Sequence, residues 1–258
     1  MNANMSNTKL VVGNWKMNPA TGDEAKLLAR KTRHAASLLE HISVVVCPPF
    51  PFISAAVPGK KSPHFHLGAQ SVSIEEGGAH TGEVGAAMLK DLCVEYVIVG
   101  HSEMRSLGDS DEMVSKRLKA VLDAGMMAIL CVGEKVRDES GSHFDFVREQ
   151  MKKSLANITK SRSSGVIVAY EPIWAIGAKE AMKPEDVCEM TIFVRKIFSD
   201  IFGNDTAQKV RVLYGGSVKF ENAADIIKIG QVDGLLVGRE SVNVAGFVDL
   251  LKAVDEVK

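Results

Sequence analysis

The fold class that the sequence predicts is α/β, a single-domain (β/α)8 barrel with eight parallel strands. Three observations predict it. Eight short runs of apolar, largely β-branched residues recur along the 258 residues, and helix-like stretches separate them. The runs lack the apolar–polar alternation of a sheet with one wet face, as strands covered by helices on both sides require. The units repeat about every 30 residues, so eight of them fill the chain as a closed barrel would. A doubly wound open sheet is the alternative, but no Gly-x-Gly-x-x-Gly follows the first strand. No linker or shift in composition divides the chain. It is expected to form one domain over residues 1–258, with a short polar extension at 1–8.

The first strand runs from Lys9 to Asn14 and leads into Trp15 and Lys16. Thr21, with Glu24 three residues later, makes a capping box for a helix whose expected apolar side carries Leu27, Leu28, Ala35, Leu38 and Leu39. Residues 44–47 form a second strand, stopped by Pro48-Pro49, and 66–70 a short third. The stretch from Glu75 to Gly85 is glycine-rich, acidic and polar, and is expected to project as a long loop. A fourth strand at 96–100 delivers His101-Ser102-Glu103. Asp109 and Glu112 are then expected to cap a helix that Gly125 closes. The fifth strand, 127–132, ends at Gly133-Glu134, and an amphipathic stretch at 144–158 leads to the sixth.

The sixth strand begins at Val166 and ends on a carboxylate, Glu171, where Pro172 stops it. A loop of about ten residues follows, longer than the usual connection, containing Trp174 and Gly177. A helix restarts at Pro184, with Glu185 and Asp186 in the first turn, where the helix dipole favours them. The seventh strand, 210–214, runs into Gly215-Gly216-Ser217. A helix closed by Gly230 precedes the eighth strand, 234–238, and a last helix at 244–257 ends the pattern.

Composition excludes several classes of function. With 46% hydrophobic and 24% charged residues and a net charge of -1, the chain carries no nucleic-acid footprint and no polybasic membrane surface. No apolar run reaches transmembrane length, and the first nine residues lack the apolar core of a signal peptide. Cys47, Cys93, Cys131 and Cys188 are widely spaced, with no Cys-x-x-Cys pair. They are expected to be free buried thiols, which points to a reducing, cytoplasmic compartment. His64 and His66 alternate across a strand without a nearby third ligand, so they are read as structural and no metal site is expected.

In such a barrel all strand C-termini open on one face. Asn14, Lys16, His101, Glu171, Gly215-Gly216-Ser217 and Gly238 would meet there. Taken singly, each has an ordinary explanation: a solvated lysine, a helix-capping histidine, a glycine turn. Together they supply one base, one imidazole, one fixed cation and two glycine turns where this fold commonly binds phosphate. The implied ligand is a small phosphorylated compound, with no cofactor, and the implied step is proton movement beside a carbonyl.

These residues stand inside longer segments. They are Asn14-Trp15-Lys16-Met17-Asn18, Gly68-Ala69-Gln70, Glu75-Glu76-Gly77-Gly78-Ala79, Thr81-Gly82-Glu83-Val84 and Val99-Gly100-His101-Ser102-Glu103, then Tyr170-Glu171-Pro172-Ile173-Trp174-Ala175-Ile176-Gly177, Tyr214-Gly215-Gly216-Ser217-Val218 and Gly234-Leu235-Leu236-Val237-Gly238. Through them the chain resembles the triosephosphate isomerase family along nearly its full length. The resemblance implies interconversion of dihydroxyacetone phosphate and glyceraldehyde 3-phosphate in glycolysis and gluconeogenesis. It makes Glu171 the base and a neutral His101 the electrophile, roles that belong to this family's known chemistry. Lys16 and Asn14 would stabilise charge and orient the substrate. Backbone groups near Gly177, Ser217, Gly238 and Arg239 would hold phosphate, and Glu103 and Tyr214 would support the site. Closure of residues 172–182 would exclude water. The resemblance also implies a homodimer, with Thr81 at the tip of a loop reaching the partner's site.

The departures from the family pattern are specific. Ala178-Lys179-Glu180-Ala181-Met182 stand where Thr-Gly-Lys and small residues are usual, which implies altered loop kinetics rather than lost chemistry. Arg239 replaces a glycine, and its N–H can still donate if its backbone is ordinary. Met104 replaces an arginine that often pairs across the dimer with the position of Glu83, so one interface ion pair is expected to be absent; Ser71 replaces a frequent asparagine. Two alternatives compete. An epimerase or aldolase barrel would need metal ligands or a Schiff-base lysine on an inner strand, and neither pattern is found. A catalytically silent phosphosugar-binding barrel would be favoured by loss of Glu171, His101 or Lys16, and all three are present.

Overall fold

The computed structural model describes residues 8–59, 62–178 and 181–257, so the polar extension lies outside the described residues apart from Thr8. Eight parallel strands follow chain order: β1 (Lys9–Asn14), β2 (Ile42–Cys47), β3 (Phe65–Ala69), β4 (Tyr96–Val99), β5 (Met127–Val132), β6 (Val166–Tyr170), β7 (Arg211–Tyr214) and β8 (Gly234–Val237). Each pairs with the next, and β8 pairs back onto β1, closing a (β/α)8 barrel. The closure needs a close approach, because a Cβ at Gly234 would collide with the Leu10 backbone of β1.

Alternation along the strands explains why their sequences are largely apolar. One set of residues, including Leu10, Val12, Val45, Cys47, Ile98, Ile129, Cys131, Ile167, Ala169, Leu213 and Leu236, fills the barrel interior. The intervening set, including Val11, Val44, Val46, Val97, Val168 and Val212, packs outward with the helices. Both faces are largely dry, and the polar side chains they carry, such as Ser43 and His66, are buried exceptions.

The helices are α1 (Gly22–Ala36), α2 (Ile53–Ala56), α3 (Ala86–Asp91), α4 (Ser102–Ser106), α5 (Asp111–Asp123), α6 (Ser142–Leu155), α7 (Pro184–Phe202), α8 (Asn204–Ala207), α9 (Phe220–Gly230) and α10 (Val244–Asp255). The Thr21–Glu24 capping box opens α1 as expected, and Pro184 opens α7. Several expectations are corrected. α1 buries Ala25, Leu28, Ala29, Ala35 and Ala36, while Leu27 and Leu38 are exposed. Its stripe is made of small residues, and Ser37 caps the helix before Leu38. α5 is capped by Ser110, whose Oγ accepts from Met113 N at 3.3 Å; Asp109 instead pairs with Arg117 at 3.2 Å. The short α2, α3, α4 and α8 span too few residues to show a helical period and escape sequence reading.

Of the four thiols only Cys47 and Cys131 are buried; Cys188 is half-buried and Cys93 exposed. Cys93 follows the end of α3 at a left-handed φ of 61°, which turns it out of the core. His64 Nδ1 meets Ile42 O and His66 Nδ1 meets Glu95 Oε1, both at 3.0 Å, so each is engaged by its own neighbourhood. Among the described residues no helix is long and apolar enough to cross a membrane.

Candidate active site

Strand parity aims the site. Asn14 continues the inward row of Leu10 and Val12, and Glu171 that of Ile167 and Ala169. Gly215 and Gly238 continue those of Leu213 and Leu236. All four therefore point over the barrel axis at its C-terminal mouth. A cleft of about 730 Å³ opens there, lined by Asn14, Lys16, His101, Glu103, Glu171, Gly177, Ser217, Gly238 and Arg239. Those are all but one of the predicted site residues. Tyr214 stands behind the cleft wall, fully buried.

Glu171 and His101 are 3% and 5% exposed, and His101 Nε2 lies 3.4 Å from Glu171 Oε1. His101 is also the N-cap of α4, and its Nδ1 accepts from Glu103 N at 3.2 Å. The helix-capping contact thus leaves Nε2 as the imidazole nitrogen turned toward Glu171. A nitrogen that accepts a backbone N–H carries no proton, so the imidazole proton sits on Nε2, facing the carboxylate and the cleft. Glycines make room for Glu171. A Cβ at Gly133 would strike the Glu171 carbonyl, and one at Gly215 would stand 2.7 Å from Glu171 Cγ. Beneath the carboxylate lies Cys131, whose thiol is pushed well above its ordinary range by burial and by the Glu171 charge.

Lys16 is held in a strained backbone. Its φ is 53°, a left-handed value that costs a non-glycine residue about 1–3 kcal/mol. Asn14 Oδ1 accepts the Lys16 N–H at 3.0 Å, and Gln70 Nε2 donates to the Lys16 and Cys47 carbonyls, each at 2.8 Å. The Lys16 ammonium pairs with Glu103 Oε1 at 2.6 Å. Gln70 therefore belongs to the site; in the sequence only its place at the tip of the third strand hinted at this.

The other end of the cleft is made of backbone. The N–H groups of Gly177, Gly216, Ser217, Gly238 and Arg239 make no hydrogen bond to any described residue. Such a cluster suits an anion. Arg239 begins an ordinary right-handed 3-10 turn, Arg239–Val242, so its N–H is free to donate. Gly216 also has a steric purpose, since a Cβ there would collide with the Tyr214 hydroxyl.

The segment after Glu171 is tied at both ends. Ile173 N donates to Glu134 O and Trp174 Nε1 to Glu134 Oε1, both at 2.9 Å; Tyr170 Oη donates to the same carboxylate at 2.9 Å. At the far end Ser217 Oγ donates to Ala178 O at 3.1 Å, and Met182 N donates to Tyr214 Oη at 3.2 Å. Burial pushes the Tyr214 phenol up to about 12, against the opposing pull of the Met182 N–H. Lys179 and Glu180, the centre of the departure in this loop, lie outside the described residues. Glu134, 1% exposed, is with Gln70 a residue that sequence reasoning did not assign to the site; a carboxylate at the tip of an otherwise apolar strand was its one signal.

Comparison with known proteins places this geometry in context. A family model described as triosephosphate isomerase matches residues 9–254. The triosephosphate isomerase of Dehalococcoides mccartyi is 39% identical over 251 residues, covering 96% of this chain and 98% of the relative. Those of Endomicrobium trichonymphae and Carboxydothermus hydrogenoformans are also 39% identical, each over 94% of this chain and 97% of the relative.

Proposed function

Because this chain belongs to the triosephosphate isomerase family and is an isomerase, we propose that it interconverts dihydroxyacetone phosphate and D-glyceraldehyde 3-phosphate through an enediolate. The observation that carries the proposal is the 3.4 Å approach of two buried groups, the Glu171 carboxylate and His101 Nε2. A C–H bond beside the substrate carbonyl breaks, the proton passes to Glu171, and the electron pair becomes the C=C bond of the enediolate. His101 Nε2–H donates to the oxygen that gains charge, and the Lys16 ammonium, fixed by Glu103, adds a cation beside it. Return of the proton to the neighbouring carbon completes the isomerisation. Asn14 acts here chiefly by holding the Lys16 backbone, and Gln70 does the same from the other side.

The substrate phosphate takes the free N–H groups of Gly177, Ser217, Gly238 and Arg239. Residues 172–182 close over it, anchored by Ser217 and Tyr214 at one end and by Glu134 at the other. Closure excludes water, so the enediolate is protonated rather than losing phosphate. The working unit is a homodimer. Residues 75–83 are exposed around Thr81, and a groove beside Lys16, lined by Met17, Phe50, Gln70 and Met104, suits insertion of the partner's loop. Sedimentation should give twice the chain mass, and a monomer alone would reject this. The reaction belongs to cytoplasmic glycolysis and gluconeogenesis.

The test is isomerisation of glyceraldehyde 3-phosphate, with chelator present, by the unaltered protein and by Glu171→Gln. The amide cannot accept the proton, so kcat should fall by about 10³-fold or more with the fold intact. No turnover from well-folded unaltered protein would reject the isomerase and favour a silent phosphosugar-binding barrel.

A further inference from the structure

Cations line both ends of the cleft, and only those at one end are neutralised. At the reacting end Lys16 is paired with Glu103 at 2.6 Å. At the anion end, Lys219 and Arg239 line the same cleft with exposed side chains, and neither ammonium nor guanidinium forms an ion pair with any described residue. The nearest acid in sequence, Glu240, does not neutralise Arg239; its Oε2 accepts from Asn243 Nδ2 at 3.5 Å instead. Beneath this corner Ser241 is fully buried and donates to the Gly238 carbonyl at 2.7 Å, fixing the turn from which Arg239 projects.

A free guanidinium on a rigid turn beside unpaired N–H groups has a defined chemistry. Its planar fork matches two oxygens of a phosphate, and a charge-assisted pair of hydrogen bonds is stronger than the neutral N–H contacts around it. We propose that the Arg239 side chain is a phosphate clamp, gripping the ligand's dianion from the cleft rim, and that Lys219 adds a second, less directional charge. The inference rests on the cleft being a triose phosphate site and deepens it. The backbone cradle fixes where the phosphate lies, while the clamp sets how tightly a dianion is held and how strongly salt competes with it.

The experiment is calorimetric titration of inorganic phosphate into the full-length protein at low and near-physiological ionic strength, for the unaltered chain, Arg239→Ala and Arg239→Lys. Isomerisation kinetics are measured in parallel. Arg239→Ala should raise the phosphate Kd by about tenfold and flatten its salt dependence, with a comparable rise in KM for glyceraldehyde 3-phosphate. Arg239→Lys should recover part of the affinity, since the charge remains and the fork is lost. Arg239 is exposed, so an unchanged Tm will certify the fold of both variants. Equal Kd and equal salt dependence in Arg239→Ala would overturn the clamp, as would failure of the unaltered protein to bind phosphate. Weakened phosphate binding in a chain that does not isomerise would support the clamp and remove the isomerase instead.

Discussion

The two ends of the cleft are built on opposite principles. At the reacting end every charged side chain is already engaged by protein: Lys16 by Glu103, His101 by the Glu103 N–H, and Glu171 by His101. At the anion end the groups stand open, with unpaired backbone N–H groups and the uncompensated Lys219 and Arg239. The first arrangement suits charge that appears only during the reaction, because the dipoles are oriented beforehand and need no reorganisation. The second suits a charge that the ligand brings with it, since the ligand itself supplies the missing partners. On the proposed function, catalysis and affinity fall to different ends of one cavity.

That division can be broken at graded cost. Lys16→Met should have the largest effect, lowering kcat/KM by about 10³-fold, because it removes a fixed cation and leaves Glu103 unpaired. Steady-state kinetics at saturating substrate will separate the two ends: a change in KM alone would assign Lys16 to affinity instead. Gly215→Ala should cost about 10² in kcat. Its Cβ would stand 2.7 Å from Glu171 Cγ and shift the carboxylate, and a misplacement of that order is enough for such a loss. An unperturbed kcat would mean that the two ends are mechanically independent at this point.

Tyr214→Phe should have the smallest effect, about fivefold in kcat/KM, since one neutral hydrogen bond to the Met182 N–H is lost. It carries a second signature. The Tyr214 phenol is raised from its ordinary 10 to about 12 in the folded chain. Below pH 10 it is protonated folded or unfolded, and its contribution to stability is fully present. From pH 10 to 12 the unfolded chain loses the proton first, so the contribution declines as pH rises. Denaturant titrations across that window should show a shallower alkaline loss in Tyr214→Phe than in the unaltered protein.

The meeting of residues at the proposed reacting end was legible because it is carried by side-chain identity at strand tips. Glu171 before Pro172 and His101 after Gly100 announce themselves. The proposed anion end was read from residue type mainly as glycine, with Ser217 and Arg239 added through the family resemblance, and glycine is ambiguous. Gly216 turns out to accommodate the Tyr214 hydroxyl, and Gly215 the Glu171 side chain, as much as either serves a ligand. Gln70 and Glu134 left only the faint signal of a strand tip because their partners, the Lys16 carbonyl and the Trp174 indole, come from distant parts of the chain. The barrel itself was readable from dry strands at regular spacing. The cap at Ser110 and the apolar stripe of α1 were misjudged, because one-residue offsets and small buried residues leave weak traces.

The inward row that carries Ile167 and Ala169 ends on Glu171, so the carboxylate proposed as the base is the last rung of the interior core rather than an addition to it. A slip of β6 by one residue would expel the core row toward the helices and carry Glu171 with it. Core packing and the placement of the Glu171 carboxylate therefore share a single alignment. With the proposed base on that row, turnover in a mixed population would count only molecules whose sixth strand is correctly registered, which would make the reaction a proofreading signal for the assembly of its own scaffold.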